Sequence, residues 1–148
     1  MKVNALKVYN CIVPSDIKNV CSVVDNVVSC FGDTYPSISE DILFELKVVL
    51  NELFLNAIKH GNKGDSTKCV KLVVDLKREK YIRIFIEDQG EGFNFKSLIE
   101  KSKKSIRVNN FLDMKETGRG ILIVDSLCDK ITYNKKGNRV LVIKKVYN

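Results

Sequence analysis

Three sets of residues in this chain have types and spacings suited to chemistry. The first is Glu52, Asn56 and His60, at i, i+4 and i+8 of one apolar-periodic segment. On a helix that spacing puts a carboxylate, a carboxamide and an imidazole in one row. Polar groups beside a buried stripe are costly unless each has a partner, and by itself the row reads as the solvated edge of an amphipathic helix. The second set is Asp88-x-Gly90-x-Gly92, directly after a strand pattern. An acid followed by two glycines fixes one acceptor while letting backbone approach a flat or polyanionic ligand. A plain hairpin-end turn has the same wording. The third is Gly118-Arg119-Gly120 ahead of an apolar run. It could present free N–H groups to phosphates at a helix start, or be no more than a glycine-rich helix entry.

The elements that must position these sets follow from periodicity. Ala5 to Val13 alternates as a strand, and Pro14-Ser15-Asp16 breaks it, with Ser15 as a candidate N-cap. Ile17, Val20, Val24, Val27 and Val28 carry a helix to about Phe31, and Gly32 to Pro36 make a turn. Ser37 and Glu40 have capping-box spacing and should open the central helix, which runs to about His60 with Gly61 as its C′ residue. Val70 to Leu76 and Tyr81 to Glu87 read as an antiparallel hairpin. Residues 94–117 are the least regular part; Ser97 to Ser105 suggest a short helix made basic by Lys101, Lys103, Lys104 and Arg107. A segment of that length in a compact domain reads as a functional lid or as disorder. A helix is expected from Ile121 to about Cys128, then strands Ile131–Tyr133 and Arg139–Lys144 around a turn at 134–138. The order β-α-α-β-β-lid-α-β-β predicts an α+β, two-layer sandwich: a mixed sheet, helices on one face, the other face partly open.

Bulk properties narrow the function. With 148 residues and 45% hydrophobic residues, the chain suits one domain, 1–148, with a real core. No run is long and apolar enough for a bilayer and no signal-peptide core opens the chain, so it is expected to be cytoplasmic. Five cysteines, at 11, 21, 30, 69 and 128, are scattered and odd in number, and His60 is the only histidine. Most of the cysteines should be small buried hydrophobes in a reducing compartment, and a zinc site is not expected. The net charge of +7 is spread along the chain without a recognition helix or RNP pattern. It fits solubility and attraction to phosphate or an acidic partner better than direct nucleic-acid binding.

The order and spacing of the three sets say more than any one of them. Glu52-x-x-x-Asn56-Ala57-x-x-His60 resembles the N box of the GHKL (Bergerat-fold) ATPases. Asp88-Gln89-Gly90-Glu91-Gly92-Phe93 resembles their first glycine box, and Gly118-Arg119-Gly120-Ile121-x-Ile123-Val124 their second. The resemblance covers nearly the whole chain and makes 94–117 the ATP lid. Within that superfamily the chain looks most like the bacterial anti-sigma-factor serine/threonine kinases. The extra second-box glycine common in histidine kinases is missing, and the lid is basic rather than glycine-rich.

The resemblance implies ATP and Mg2+ as cofactors. It implies Asn56 as a metal ligand through its amide oxygen and Glu52 as general base toward a serine hydroxyl. Asp88 would accept from the adenine amine, and Gly90 and Gly92 would pass the base and ribose. Gly118, Arg119 and Gly120 would close on the phosphates. His60 is either a nucleotide contact or a histidine capping the helix end. The implied partners are a sigma factor, an anti-anti-sigma (STAS-type) protein and a second copy of the chain, with no membrane. A nucleotide-gated binding module without phosphotransfer is the alternative.

Overall fold

The computed structural model describes residues 9–107 and 116–146. Of the expected first strand, residues 5–8 lie outside the described residues. The strand β1 spans Tyr9–Pro14. A 3-10 turn, Ile17–Asn19, leads into α1, Val20–Thr34. The cap of the 3-10 turn is Asp16 rather than Ser15: the Asp16 carboxylate accepts from the Lys18 N–H at 3.0 Å, while the Ser15 hydroxyl is buried without a partner. The helix α2 spans Glu40–Asn56, and the expected capping box does not form. Ser39, not Ser37, is the N-cap, its hydroxyl accepting from Ile42 N–H at 3.2 Å.

Strands β2, Cys69–Lys77, and β3, Tyr81–Glu87, form the expected hairpin. Arg78 and Glu79 take positive φ in its turn, +54° and +57°. Within the expected lid, the short helix read at Ser97–Ser105 extends over Phe95–Arg107 as α3, its apolar positions recurring at helical spacing among its lysines, and residues 108–115 lie outside the described residues. The next helix, α4, runs from Glu116 to Leu127, so Gly118-Arg119-Gly120 lies inside its first turns instead of ahead of it. Strands β4, Lys130–Tyr133, and β5, Arg139–Lys145, complete the set.

The sheet order is β1-β2-β3-β5-β4, and all four pairings are antiparallel where a mixed sheet was expected. The physical reason is that two of the four contacts are hairpins, and the two excursions bring β2 and β5 back from the opposite direction. One face carries the helices. Val70, Leu72, Val74, Ile82, Ile84, Ile86 and Val142 on the strands meet Val24 and Val27 of α1 and Leu46, Leu50 and Phe54 of α2 in one buried cluster. Each such side chain contributes roughly 1.5–3 kcal/mol through burial. The other face is partly open. There Arg83 forks onto Asp75 at 2.7 and 2.5 Å, Arg139 pairs with Glu87, and Arg139 lies 5.7 Å over the Phe85 ring.

The cysteines are less buried than expected. Cys21 and Cys30 sit on the exposed side of α1, and Cys11, Cys69 and Cys128 are half-buried. Burial still pushes the Cys128 thiol up to about 12, so it stays protonated.

A lysine belongs to the interior. Lys144 is 4% exposed, on the helix side of β5. Its Nζ donates to the Leu127 carbonyl at the end of α4, 2.6 Å, and pairs with Glu45 of α2 at 2.5 Å. A cation at a helix C-terminus is favourable, and here it ties two helices to one strand. Lys144→Ala should therefore cost about 2 kcal/mol in urea unfolding, since it strands a buried carbonyl and a carboxylate. A loss below about 0.5 kcal/mol would mean that the pair behaves as a solvated surface bridge.

Candidate active site

The site is built where the end of α2 meets the end of β3. Leu46, Val49, Leu50, Leu53 and Phe54 bury one stripe of α2 against the sheet, and that anchors the row beside it. Asn56 falls within the buried set at 6% exposure, and its Nδ2 has no partner. Glu52, one turn earlier, is half-buried. Its carboxylate rests on α4: a Cβ at Gly120 would overlap Oε2 of Glu52. Gly118, Arg119 and Gly120 lie near the start of the described part of α4, beside that carboxylate.

The row does not continue straight to His60. Residues Ala57–Gly61 form a π turn, in which each N–H reaches five residues back, as Asn62 N–H does to Ala57 O at 2.8 Å. The wider turn bends the row after Asn56. His60 ends half-buried with its ring 6.4 Å from that of Phe93. Gly61 is not the C′ residue. The chain leaves the helix in left-handed backbone at Lys63, φ +53°, and Gly64, φ +71°, with Gly64 N–H bonded to Ile58 O at 2.8 Å.

Gly61 has a different use, which helical periodicity did not signal. Any Cβ there would overlap the Asp88 carboxylate, and a Cβ at Gly90 would overlap the Gly61 carbonyl. The π turn and the first glycine box are in backbone contact, and only glycine permits it. Asp88 is 6% exposed, and its Oδ1 accepts from Gly90 N–H at 2.8 Å. Burial raises its pKa above the ordinary carboxylate range, although the Gly90 hydrogen bond and Lys136 oppose the shift. Gly92, φ +98°, lies against the Lys136 carbonyl, and Gly118 against the Ser102 hydroxyl of α3. Those two glycines serve close packing of neighbouring segments.

Of the residues singled out in the sequence, Asn56 and Asp88 line a common cavity, with Leu53, Ile86, Ile121 and Val140 among its apolar walls. It measures about 20 Å3, room for about one water. Phe95 of α3 lines its outer side, stacked on Tyr133 at 4.6 Å and 8°. A wider groove of about 780 Å3 lies beyond, and Phe95, Tyr133 and Gly137 line both spaces. The Tyr133 hydroxyl is buried without a partner, and burial, with Asp125 adding to it, raises its pKa, so it remains a phenol. Phe95 and Tyr133 escaped the sequence reading, because a lone aromatic in each segment gives no pattern.

An apolar cavity holding a desolvated acceptor and an unpartnered amide, next to a helix start with two glycines, is suited to a nucleotide. Comparison with known proteins decides the family. Residues 13–144 match the model of the histidine kinase-like ATPase domain. The chain belongs to that family. It is 25% identical over 123 residues to the serine-protein kinase RsbW of Staphylococcus aureus strains JH9 and Newman, covering 82% of this chain and 74% of each relative. Its fold is similar to the histidine kinase domain of the Erythrobacter litoralis EL346 blue-light activated histidine kinase. That likeness has a TM-score of 0.53 at 12% identity, and covers 86% of this chain and 61% of that one.

A ligand that donates to Asp88 is held more strongly by the ionised carboxylate than by the acid, so protonation weakens it. Binding is full above the Asp88 pKa and falls as pH drops through it, and the raised value moves that fall to milder acidity. ADP affinity measured by calorimetry should decline at a pH above the ordinary carboxylate value of about 4, and the decline should vanish in Asp88→Asn. A wild-type profile flat down to about pH 4 would remove Asp88 from the binding equilibrium.

Proposed function

We propose that this chain is an ATP-dependent serine/threonine protein kinase acting as an anti-sigma factor. It would bind a sigma factor and phosphorylate an anti-anti-sigma (STAS-type) protein on serine, working as a homodimer. The observation that carries the kinase reading is the placement of Glu52: a half-buried carboxylate one helical turn before Asn56, pressed on Gly120 at the start of α4. The relatives' designation as serine-protein kinases supports the reaction class. The exposed Ile12 of β1 and Ile17 beyond it give apolar surface for self-association.

The residues fit the implied cofactors. Asn56 would bring a hard amide oxygen suited to Mg2+, which is commonly held by few protein ligands together with phosphates, and its buried Nδ2, without a partner, leaves a donor for an acceptor on a ligand. Asp88 would take the adenine amine, Gly90 the base edge, and Gly92 the ribose side. Gly118 and Gly120, with Arg119, would cradle phosphate at the helix start, and His60 would border the base beside Phe93. Bound Mg-ATP would supply the transferable phosphoryl group and neutralise its charge. Glu52 would receive the proton of the serine hydroxyl as that oxygen attacks. Half-burial keeps the carboxylate within reach of solvent and partner.

Glu52→Gln keeps the shape against Gly120. It should bind ADP as the wild type does and lose serine phosphorylation by about 10^2-fold or more in single-turnover assays with labelled Mg-ATP. Transfer at the unmutated rate would refute the base assignment. A wild-type protein that binds ATP and phosphorylates no anti-anti-sigma protein would favour the nucleotide-gated module.

A purine is far larger than the 20 Å3 cavity, so the base reaches Asp88 only when Phe95 leaves Tyr133 and joins the cavity to the outer groove. Phe95→Ala removes that cover and should tighten ADP binding several-fold, because less of the protein is held in the closed form. Weaker binding would instead make Phe95 a contact of the base.

A further inference from the structure

Asp88 has a second set of neighbours that the nucleotide reading leaves unused. Both polar groups of its own peptide backbone go to one residue. Asp88 N–H donates to the Asn138 carbonyl at 2.9 Å, and the Asn138 Nδ2 donates back to the Asp88 carbonyl at 3.1 Å. The two residues are fifty apart in sequence, and both line the cavity. The Asn138 side chain is itself fixed, since its Oδ1 accepts from Asn134 Nδ2 at 2.7 Å. Asn134 in turn takes the Gly137 and Arg139 N–H groups on its Oδ1, at 2.9 and 3.1 Å.

The next peptide is held from the other side. Gln89 N–H donates to Oδ1 of Asn62, which is fully buried and donates its Nδ2 to Cys69 O at 3.0 Å. Rotating the Asp88 backbone would swing its carboxylate, and these bonds stop that rotation. Gly61 stands against the carboxylate, so movement in that direction is also blocked. Among the described residues nothing comparable fixes Glu91, exposed three residues further on. The clamp is thus aimed at one residue of the glycine box.

We propose that Asn138, held by Asn134 and opposed by Asn62, is a positioning residue that aims the Asp88 carboxylate at the amine-bearing edge of a bound adenine. The proposal rests on the reading of Asp88 as the base acceptor. It assigns adenine selectivity in part to the β4–β5 turn, which need not touch the nucleotide. A residue acting through Asp88 affects the base alone, whereas one that merely holds the loop affects every ligand.

The test uses the full chain with Mg2+ and three variants: Asn138→Ala, Asn138→Asp and Asp88→Asn. Asn138→Asp keeps the shape and the acceptor for Asn134, so it serves where the alanine variant fails to fold. Calorimetry measures ADP, GDP and inorganic tripolyphosphate. Both Asn138 variants should lose about tenfold in ADP affinity and narrow the ADP-over-GDP preference, with tripolyphosphate changed by less than about twofold. Wild-type ADP affinity in these variants, or equal losses for ADP and tripolyphosphate with the ADP:GDP ratio unchanged, overturns the proposal. If Asp88→Asn itself leaves ADP affinity intact, the base reading fails and the proposal with it. If Asp88→Asn weakens ADP while both Asn138 variants do not, the base reading stands and only the positioning role is lost.

Discussion

The site depends on a backbone contact between the π turn after α2 and the end of β3. The Gly61 carbonyl meets Gly90, and the Asp88 carboxylate meets Gly61 where any side chain would collide. Two chain segments that close cannot tolerate a methyl group, because protein interiors give way little and a Cβ overlapping backbone must move an element. The contact sets where Asp88 stands relative to Asn56, hence the shape of the cavity between them. It also explains why α2 ends in a π turn. A regular helix would continue along its axis, whereas the wider turn carries Gly61 toward β3 and satisfies its bonds through Asn62.

This contact is fixed by the large core under it. The α2 stripe from Leu46 to Phe54 is locked against strands whose register is set by four antiparallel pairings. A slip of one residue in β3 would turn Ile82, Ile84 and Ile86 outward and Arg83, Phe85 and Glu87 inward. Placing Asp88 one step past Glu87 therefore costs no separate specification. Rigid elements supply Glu52, Asn56 and Asp88, while α3 supplies the cover, Phe95.

The sequence was readable wherever one period ran unbroken. The stripe of α2, the β2–β3 hairpin and the β4–β5 turn followed from spacing and turn residues, and the motif order pointed to the family that residues 13–144 match. It was unreadable where a long-range contact decided the outcome. Gly61 looked like a helix stop because glycine at a helix end commonly is one; its partner, Asp88, lies in another element. Ser37 and Glu40 had the spacing of a capping box, yet Ser39 took the cap, a competition decided by local backbone. In the basic stretch after Asn94 a helix was legible but read short, because its lysines blur the apolar positions at both ends of α3. Asn138 gave no sign at all, since an asparagine in a tight turn is ordinary and its bond to Asp88 spans fifty residues.

A buried carboxylate is expensive, and the surroundings of Asp88 show how the expense is met. One oxygen accepts from Gly90, and the field of Lys136 helps, yet burial still outweighs both and raises the pKa. If stability alone had shaped this position, a neutral side chain would satisfy Gly90 at lower cost. The carboxylate retains acceptor capacity that no backbone N–H uses fully, inside an apolar cavity where a hydrogen bond is strong. Asn56, whose Nδ2 is buried without a partner, lines the same cavity. Two incompletely satisfied groups lining one cavity are what a site shaped for a ligand rather than for stability alone would show. The clamp at Asn62 and Asn138 then has a physical reason: an acceptor left short of partners will turn toward any nearby donor unless its backbone is held.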